Sequence, residues 1–336
     1  MIGDPIAELL PEDVLRLVTG RRIGNSAPLA GCRVVGPVGM RPASRLFRCT
    51  APEIVGAIAL KFCLTPDGRR DFETARWQFA ALERIAGLAA RSAAPVRVVR
   101  AHDLIEEHAC LVMEWIEGRS VASLLAGPMT ADAEVRSWSN AAGRWLHDFH
   151  AMHRLAERPM SCAVMMANLD LHTPGAQALM ANRSFVRGRA ALEQTAPLVA
   201  SIAVPIAHHH GDFKAENLMM TEDGLVGLDI VAHWDDAVTL DLAKFIRDLT
   251  FRSWRPTGWM LGRRYNAIVA AFLDGYGATH RPAWQGPLLW ARLHGLLRFW
   301  IEQASAPPEP IRDSYERYRF EHCVAEAADA LVAVSG

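Results

Sequence analysis

Between residues 208 and 230 the chain reads His208-His209-His210-Gly211-Asp212-Phe213-Lys214-Ala215-Glu216-Asn217-Leu218-Met219-Met220, then Gly227-Leu228-Asp229-Ile230. A carboxylate, a carboxamide five residues on and a second carboxylate twelve residues after that offer hard oxygen donors, the kind Mg2+ prefers. Mg2+ keeps several of its waters, so one or two protein ligands plus phosphate oxygens are enough. Asn217 and Asp229 are the ligands this spacing suggests, which leaves Asp212 free to accept a proton. His208-x-His210-x-Asp212 is a rival pattern with the ligand types of a zinc hydrolase. That site needs a further histidine directly after the Asp, where Phe213 stands, and it gives Asn217 and Asp229 no task. His210 reads better as a buried loop residue that supports Asp212.

A loop and a tight hairpin must hold these groups. Residues 218–221 and 225–229 read as short strands across the turn Glu222-Asp223-Gly224. Around them the pattern is helical: 131–154, 187–201, 239–251, 260–275, 284–303 and 311–333, with a less regular region at 156–186 and the 208–230 segment as the only interruption. Before residue 118 the character differs. A helix over 11–19, begun by Pro11 and two acids and closed by Gly20, precedes β-type runs at 32–35, 46–50 and 54–63, read as three antiparallel strands. Apolar Phe72, Ala75, Phe79, Leu82 and Ala86 predict an amphipathic helix over 71–86, and 96–99 and 111–115 read as two more strands. The change of character at 114–118 marks a boundary between two unlike parts.

Composition narrows the function classes. The 336 residues carry 36 Lys+Arg against 37 Asp+Glu and are 51% hydrophobic, which excludes both the basic excess of a nucleic-acid binder and the makeup of a disordered chain. The apolar stretches are too short to span a membrane and no secretory signal is visible, so a cytoplasmic protein is expected. Six cysteines lie scattered without a C-x-x-C pair and read as buried free thiols. Six late tryptophans, at 234, 254, 259, 284, 290 and 300, read mainly as core. Oligomeric state has no signature. Only Lys61, Lys214 and Lys244 are lysines; the arginine bias fits a GC-rich genome, so a retained lysine marks a place where arginine does not serve.

The pattern H-G-D-x-x-x-x-N followed by a strand ending in Leu-Asp resembles the aminoglycoside phosphotransferase-like family of small-molecule kinases. The likeness extends to Ala59-Leu60-Lys61, to Leu111-Val112-Met113-Glu114-Trp115-Ile116-Glu117-Gly118, to Phe149-His150 and to Asp241-Leu242-Ala243. It implies an α+β, two-lobed protein-kinase-like fold: a β-sheet lobe with one helix (1–113), a hinge (114–118) and a mainly helical lobe (119–336) with the catalytic loop, metal site and acceptor pocket. It implies ATP or GTP with Mg2+, and a small molecule whose hydroxyl accepts the γ-phosphate, with neither nucleic acid nor membrane as partner. By the same resemblance Asp212 is the base or the group that orients the hydroxyl. Lys214 meets the transferred phosphate, Lys61 neutralises the α and β oxygens, Asn217 and Asp229 ligate Mg2+, and Glu114, Trp115 and Ile116 border the adenine.

Departures matter as well. Residues 36–44 stand where a G-x-G-x-x-G loop is expected, and Gln78 stands where the helix acid that pairs with Lys61 belongs, which leaves Glu73 and Glu83 as candidates. Asp229-Ile230-Val231 replaces D-F-G. Twelve residues between Asp229 and Asp241 leave no room for the activation segment of a protein kinase, the first alternative. A nucleotide-binding scaffold without activity is the second. Asp241 reads as a cap or a support for the catalytic loop, and Lys244 as a solvated residue.

Overall fold

Alternation of side chains along one central strand organises the first part of the molecule. The computed structural model describes residues 9–23, 28–41, 43–92, 96–127, 130–171, 177–231, 234–253, 259–305 and 310–335. It divides into two units, Met1–Arg119 with Met219–Val231, and Ser120–Leu218 with Ala232–Gly336. The hairpin that carries Asp229 therefore groups with the first unit, and residues 114–118 lie inside that unit.

In the first unit, helix α1 (Pro11–Val18) has Pro at its start and Glu12 and Asp13 in its first turn, where a missing N–H and negative charge are tolerated best. Strands β1 (Arg33–Arg41), β2 (Ser44–Thr50) and β3 (Ile58–Cys63) follow, then helix α2 (Phe72–Ala89), β4 (Arg97–Val98), β5 (Ala101–Ile105) and β6 (Cys110–Glu114). The main sheet has the order β1-β2-β3-β6-β5. Residues 36–41 form no glycine-rich loop: they extend β1, with a register shift between Val35 and Gly39. The 96–99 segment also departs from expectation. It leaves the main sheet to pair in parallel with a later hairpin, and β5, unread in the sequence, takes the edge beside β6.

Ile58, Leu60 and Phe62 of β3 face a core shared with Phe47, Val112 and α1. Ala59 and Cys63 face the opposite way, among Ala75 and Leu82 of α2 and Leu111 and Met113 of β6. The period of two places Lys61 on this second face, in the middle of its strand.

Strand β7 (Arg119–Ser120) spans the unit boundary. The second unit then runs α3 (Val121–Leu125), α4 (Asp132–Ala151), β8 (Arg154–Pro159), α5 (Cys162–Leu171), α6 (Gln177–Met180), α7 (Arg183–Val199) and β9 (Ala203–His208). The hairpin β10 (Leu218–Thr221) and β11 (Gly224–Gly227) follows. After it come β12 (Asp235–Ala237), α8 (Thr239–Ser253), α9 (Trp259–Tyr276), α10 (Gln285–Ala304) and α11 (Pro310–Ser335). The helices lie where periodicity predicts, but β8, β9 and β12 form a three-stranded antiparallel sheet, so the 208–230 segment is not the only interruption. Helices α4 and α9 cross closely: a Cβ on Gly143 would strike the Phe272 carbonyl, and one on Gly275 the Asn140 carbonyl. Trp284, Trp290 and Trp300 are buried and Trp234 is exposed, while Trp254 lies outside the described residues. Among the described residues no helix is long and apolar enough to cross a membrane.

Candidate active site

Residues 210–217 are fixed from below by aromatic packing. Trp145 of α4 stacks on Phe149 at 5.2 Å and on Phe213 at 5.9 Å, and Phe213 meets Phe245 of α8 at 5.3 Å. The His210 ring lies 5.4 Å from Phe213, and both residues are fully buried. With an anchor two residues before and one residue after it, Asp212 is left at the surface of the loop, its side chain 26% exposed.

One face of α8 then fastens the loop through charge. Asp241, Lys244, Asp248 and Arg252 recur at helical spacing and so share a side of the helix. Asp241 accepts the backbone N–H of His210 at 2.8 Å and of Gly211 at 3.2 Å. Asp248 accepts the N–H of Ala215 at 3.1 Å, and Arg252 pairs with both Asp248 and Glu216 at 2.9 Å. Lys244 Nζ donates to the Gly211 carbonyl at 3.2 Å and lies 3.0 Å from Asp212 Oδ1. Lys244 is thus an ion-pair partner of the loop carboxylate, which corrects its reading as a solvated residue.

Lys214 Nζ pairs with Asp212 Oδ2 at 2.7 Å, and Asn217 Nδ2 donates to the Asp212 carbonyl at 2.9 Å and to Oδ2 at 3.0 Å. Burial by itself would raise the Asp212 carboxyl, but Lys244 and Lys214 outweigh it and hold the pKa down at about 2. Asp212 is an anion at every physiological pH. The two donations from Asn217 Nδ2 turn the amide oxygen of this nearly buried side chain away from the loop. A fixed, hard oxygen suits Mg2+, which takes few protein ligands.

Asp241 is itself buried, and burial would raise its carboxyl; the imidazoles of His209 and His150 beside it hold it well below the usual range. Burial pushes His150 down to about 4, so its neutral ring donates Nε2–H to Asp241 at 3.2 Å and accepts the Tyr276 hydroxyl at Nδ1, 2.9 Å away. The H-x-H-x-D histidines are used in packing: His208 Nδ1 reaches Asp235 at 3.2 Å and His210 lies against Phe213, while His209 between them reaches the Ala237 carbonyl through Nε2 at 3.0 Å. Among the described residues no cluster of three His, Cys, Asp or Glu side chains could hold a metal, so the zinc pattern has no site there.

In the first unit, Leu228 packs on the α2 side of the sheet, and this carries the next residue to Lys61. Lys61 Nζ lies 2.6 Å from Asp229 Oδ1, with the lysine side chain only 12% exposed. Asp229 has φ +51°, a left-handed conformation that costs a non-glycine residue energy and collects at functional positions. Among the described residues neither Glu73 nor Glu83 pairs with Lys61, and Glu83 is exposed. Gln78 meets Cys63 Sγ at 3.9 Å instead.

Residues 114–116 continue out of β6. The Glu114 carboxylate is taken up by Arg97 at 3.0 Å and Arg100 at 3.4 Å, and its backbone N–H by the Arg100 carbonyl at 2.9 Å. Trp115 N–H bonds the Ala57 carbonyl at 3.1 Å, and its indole N–H is buried without a partner among the described residues.

The fold is shared widely. A choline/ethanolamine kinase family protein of Mesorhizobium loti matches at 16% identity with a TM-score of 0.58, over 91% of this chain and 92% of its own. The choline kinase of Streptococcus pneumoniae matches at 13% identity and 0.57, over 95% and 97%. The ethanolamine kinase of Plasmodium vivax matches at 10% and 0.56, over 90% and 81%. At these identities the likeness is one of fold. No curated protein sequence matches the chain. Residues 56–287, well over half of the chain, match the phosphotransferase enzyme family as a sequence family, and the chain belongs to it.

Proposed function

We propose that the chain transfers the γ-phosphoryl group of ATP, or of GTP, to a hydroxyl of a small molecule. The observation that carries this reading is Asp212, held as an anion by Lys214 and Lys244 on a loop whose amides are tied to Asp241 and Asp248. A carboxylate with so low a pKa is a weak proton sink but a fixed acceptor for the hydrogen of an incoming hydroxyl. Phosphoryl transfer through a loose transition state asks for orientation and charge more than for a strong base. Asp212 orients the acceptor hydroxyl, and Lys214 turns to the phosphoryl group in flight.

Lys61 takes the α and β oxygens of the nucleotide, and the backbone at 114–116 borders its base. Asn217 and Asp229 are the residues that would hold Mg2+; when bound, the ion neutralises charge on the phosphate oxygens. The relatives of like fold bear the names of choline and ethanolamine kinases, which supports a small alcohol as acceptor.

Asp212→Asn tests the reading. Transfer to acceptor, followed by ADP release, should fall about a hundredfold to ten-thousandfold while Mg-ATP binding by calorimetry stays near that of the parent. Undiminished transfer by the variant overturns the role of Asp212. A parent protein that binds Mg-ATP yet turns over no alcohol in a broad panel is the scaffold instead.

A further inference from the structure

We infer that the acceptor carries an anionic group, a carboxylate or a phosphate ester, near the hydroxyl that is phosphorylated, and that Lys244 and Arg247 of α8 receive it. The inference rests on the phosphotransferase reading and names its substrate class.

Charge around Asp212 is the first ground. Two lysines pair with this one carboxylate, so the place where a hydroxyl would dock carries surplus positive charge. The nearby acids on α8 are already committed: Asp241 to the amides of His210 and Gly211, Asp248 to Ala215 N–H and Arg252. An amino alcohol would bring its ammonium within a few bonds of the hydroxyl, toward these lysines, with the two α8 carboxylates already spent. An acid would do the reverse.

Arg247 is the second ground. It stands one helical turn beyond Lys244, on an adjoining side of α8. Nη1 donates to the Gly295 carbonyl at 2.8 Å and the guanidinium lies 5.2 Å from the Phe299 ring. Among the described residues no carboxylate lies within ion-pair distance of it. Asp212, Asp248 and Glu302 share its field, but Asp248 is held by Arg252, and Glu302 pairs with Arg298 at 3.2 Å. Burial disfavours its charge. A half-buried guanidinium with no carboxylate against it among the described residues gains from an anion that supplies one. The packing accommodates it nonetheless: Gly295 sits opposite in α10, where a Cβ would lie 3.4 Å from Nη1. Arginine suits carboxylate and phosphate because its planar fork can bind two oxygens at once. On binding, Lys244 would exchange Asp212 Oδ1 for the acceptor anion and keep the Gly211 carbonyl.

Four compounds on one carbon skeleton separate the possibilities: glycerol, 3-aminopropane-1,2-diol, glycerate and glycerol 3-phosphate, with the matching glucose series (glucose, glucosamine, glucuronate, glucose 6-phosphate) and a broad alcohol panel alongside. Mg-ATP-dependent ADP release is measured for each. We expect an anionic member to exceed its neutral and amino counterparts by about tenfold to a hundredfold in kcat/KM, the range of a hydrogen bond to a charged group. Glycerate and glucuronate against the two phosphate esters decides which anion is meant. In Arg247→Gln the ratio of anionic to neutral kcat/KM should fall by a similar factor, mostly through KM, with partial recovery in Arg247→Lys; a purely structural role would lower both acceptors alike. Lys244→Gln gives the same ratio should the Arg247 variants fail to fold. Preference for an amine or a neutral alcohol overturns the inference and leaves phosphoryl transfer standing. No ADP release with any compound overturns both.

Discussion

The chain presents two lysine–carboxylate sites that are built in opposite ways. Lys61 and Asp229 form an ion pair, 168 residues apart in sequence, with the lysine set by strand alternation and the aspartate held in a left-handed conformation. Asp212 is one carboxylate between two lysines, and its loop is fastened from a single helix face by alternating charges. The second site sets two lysines against one carboxylate. Under the proposed function, the first is a pair that would open to admit phosphates and the second an anion that would keep its position.

Removing the fastening should break the second site most severely. Asp241 is buried and accepts from two loop amides and from His150. Asp241→Ala should lower stability to urea by about 3–5 kcal/mol, the cost of leaving such buried donors unpaired. It should also abolish transfer. A variant within about 1 kcal/mol of the parent would show that the loop holds itself.

An acid titration comes next. Because folding lowers the Asp212 pKa from 3.8 to about 2, ionised Asp212 favours the folded state above about pH 4, and this contribution fades as pH falls toward 2. Its size is about 2 kcal/mol. Lys244→Met should shrink the loss between pH 4 and 2, as followed by chemical denaturation at each pH. An unchanged loss in this variant would show that Lys244 does not hold Asp212 ionised.

The smallest effect belongs to Lys61→Arg. A guanidinium keeps the charge but not the compact ammonium that fits beside Asp229 in a site only 12% exposed. We expect kcat/KM for Mg-ATP to fall about tenfold. Near-normal activity would sink the idea that lysine itself is required there.

What could be read from the sequence followed the reach of each signal. A β-type run over 54–63 announced β3, and helical spacing announced α2, α4 and α8 to α11, because these patterns are local. Sheet β12-β9-β8 escaped because β8 is wholly exposed, with no alternation, and β12 has only three residues. Lys61's partner was sought on α2, whereas Asp229 arrives from a distant hairpin that no local period reports. Lys244 was the avoidable omission. It follows Asp241 by three residues, and that spacing alone sets it on the face turned to the catalytic loop.

The placement of the lysines gives the chain an unusual chemical address. All three ε-amines in the sequence lie against Asp229 or Asp212. The α-amino group apart, an amine-selective reagent therefore becomes a site-directed one, blind to the arginines. Peptide mapping after brief acylation would read occupancy lysine by lysine, with nucleotide shielding Lys61 and acceptor shielding Lys244, and no tag or mutation would be needed to watch the enzyme fill.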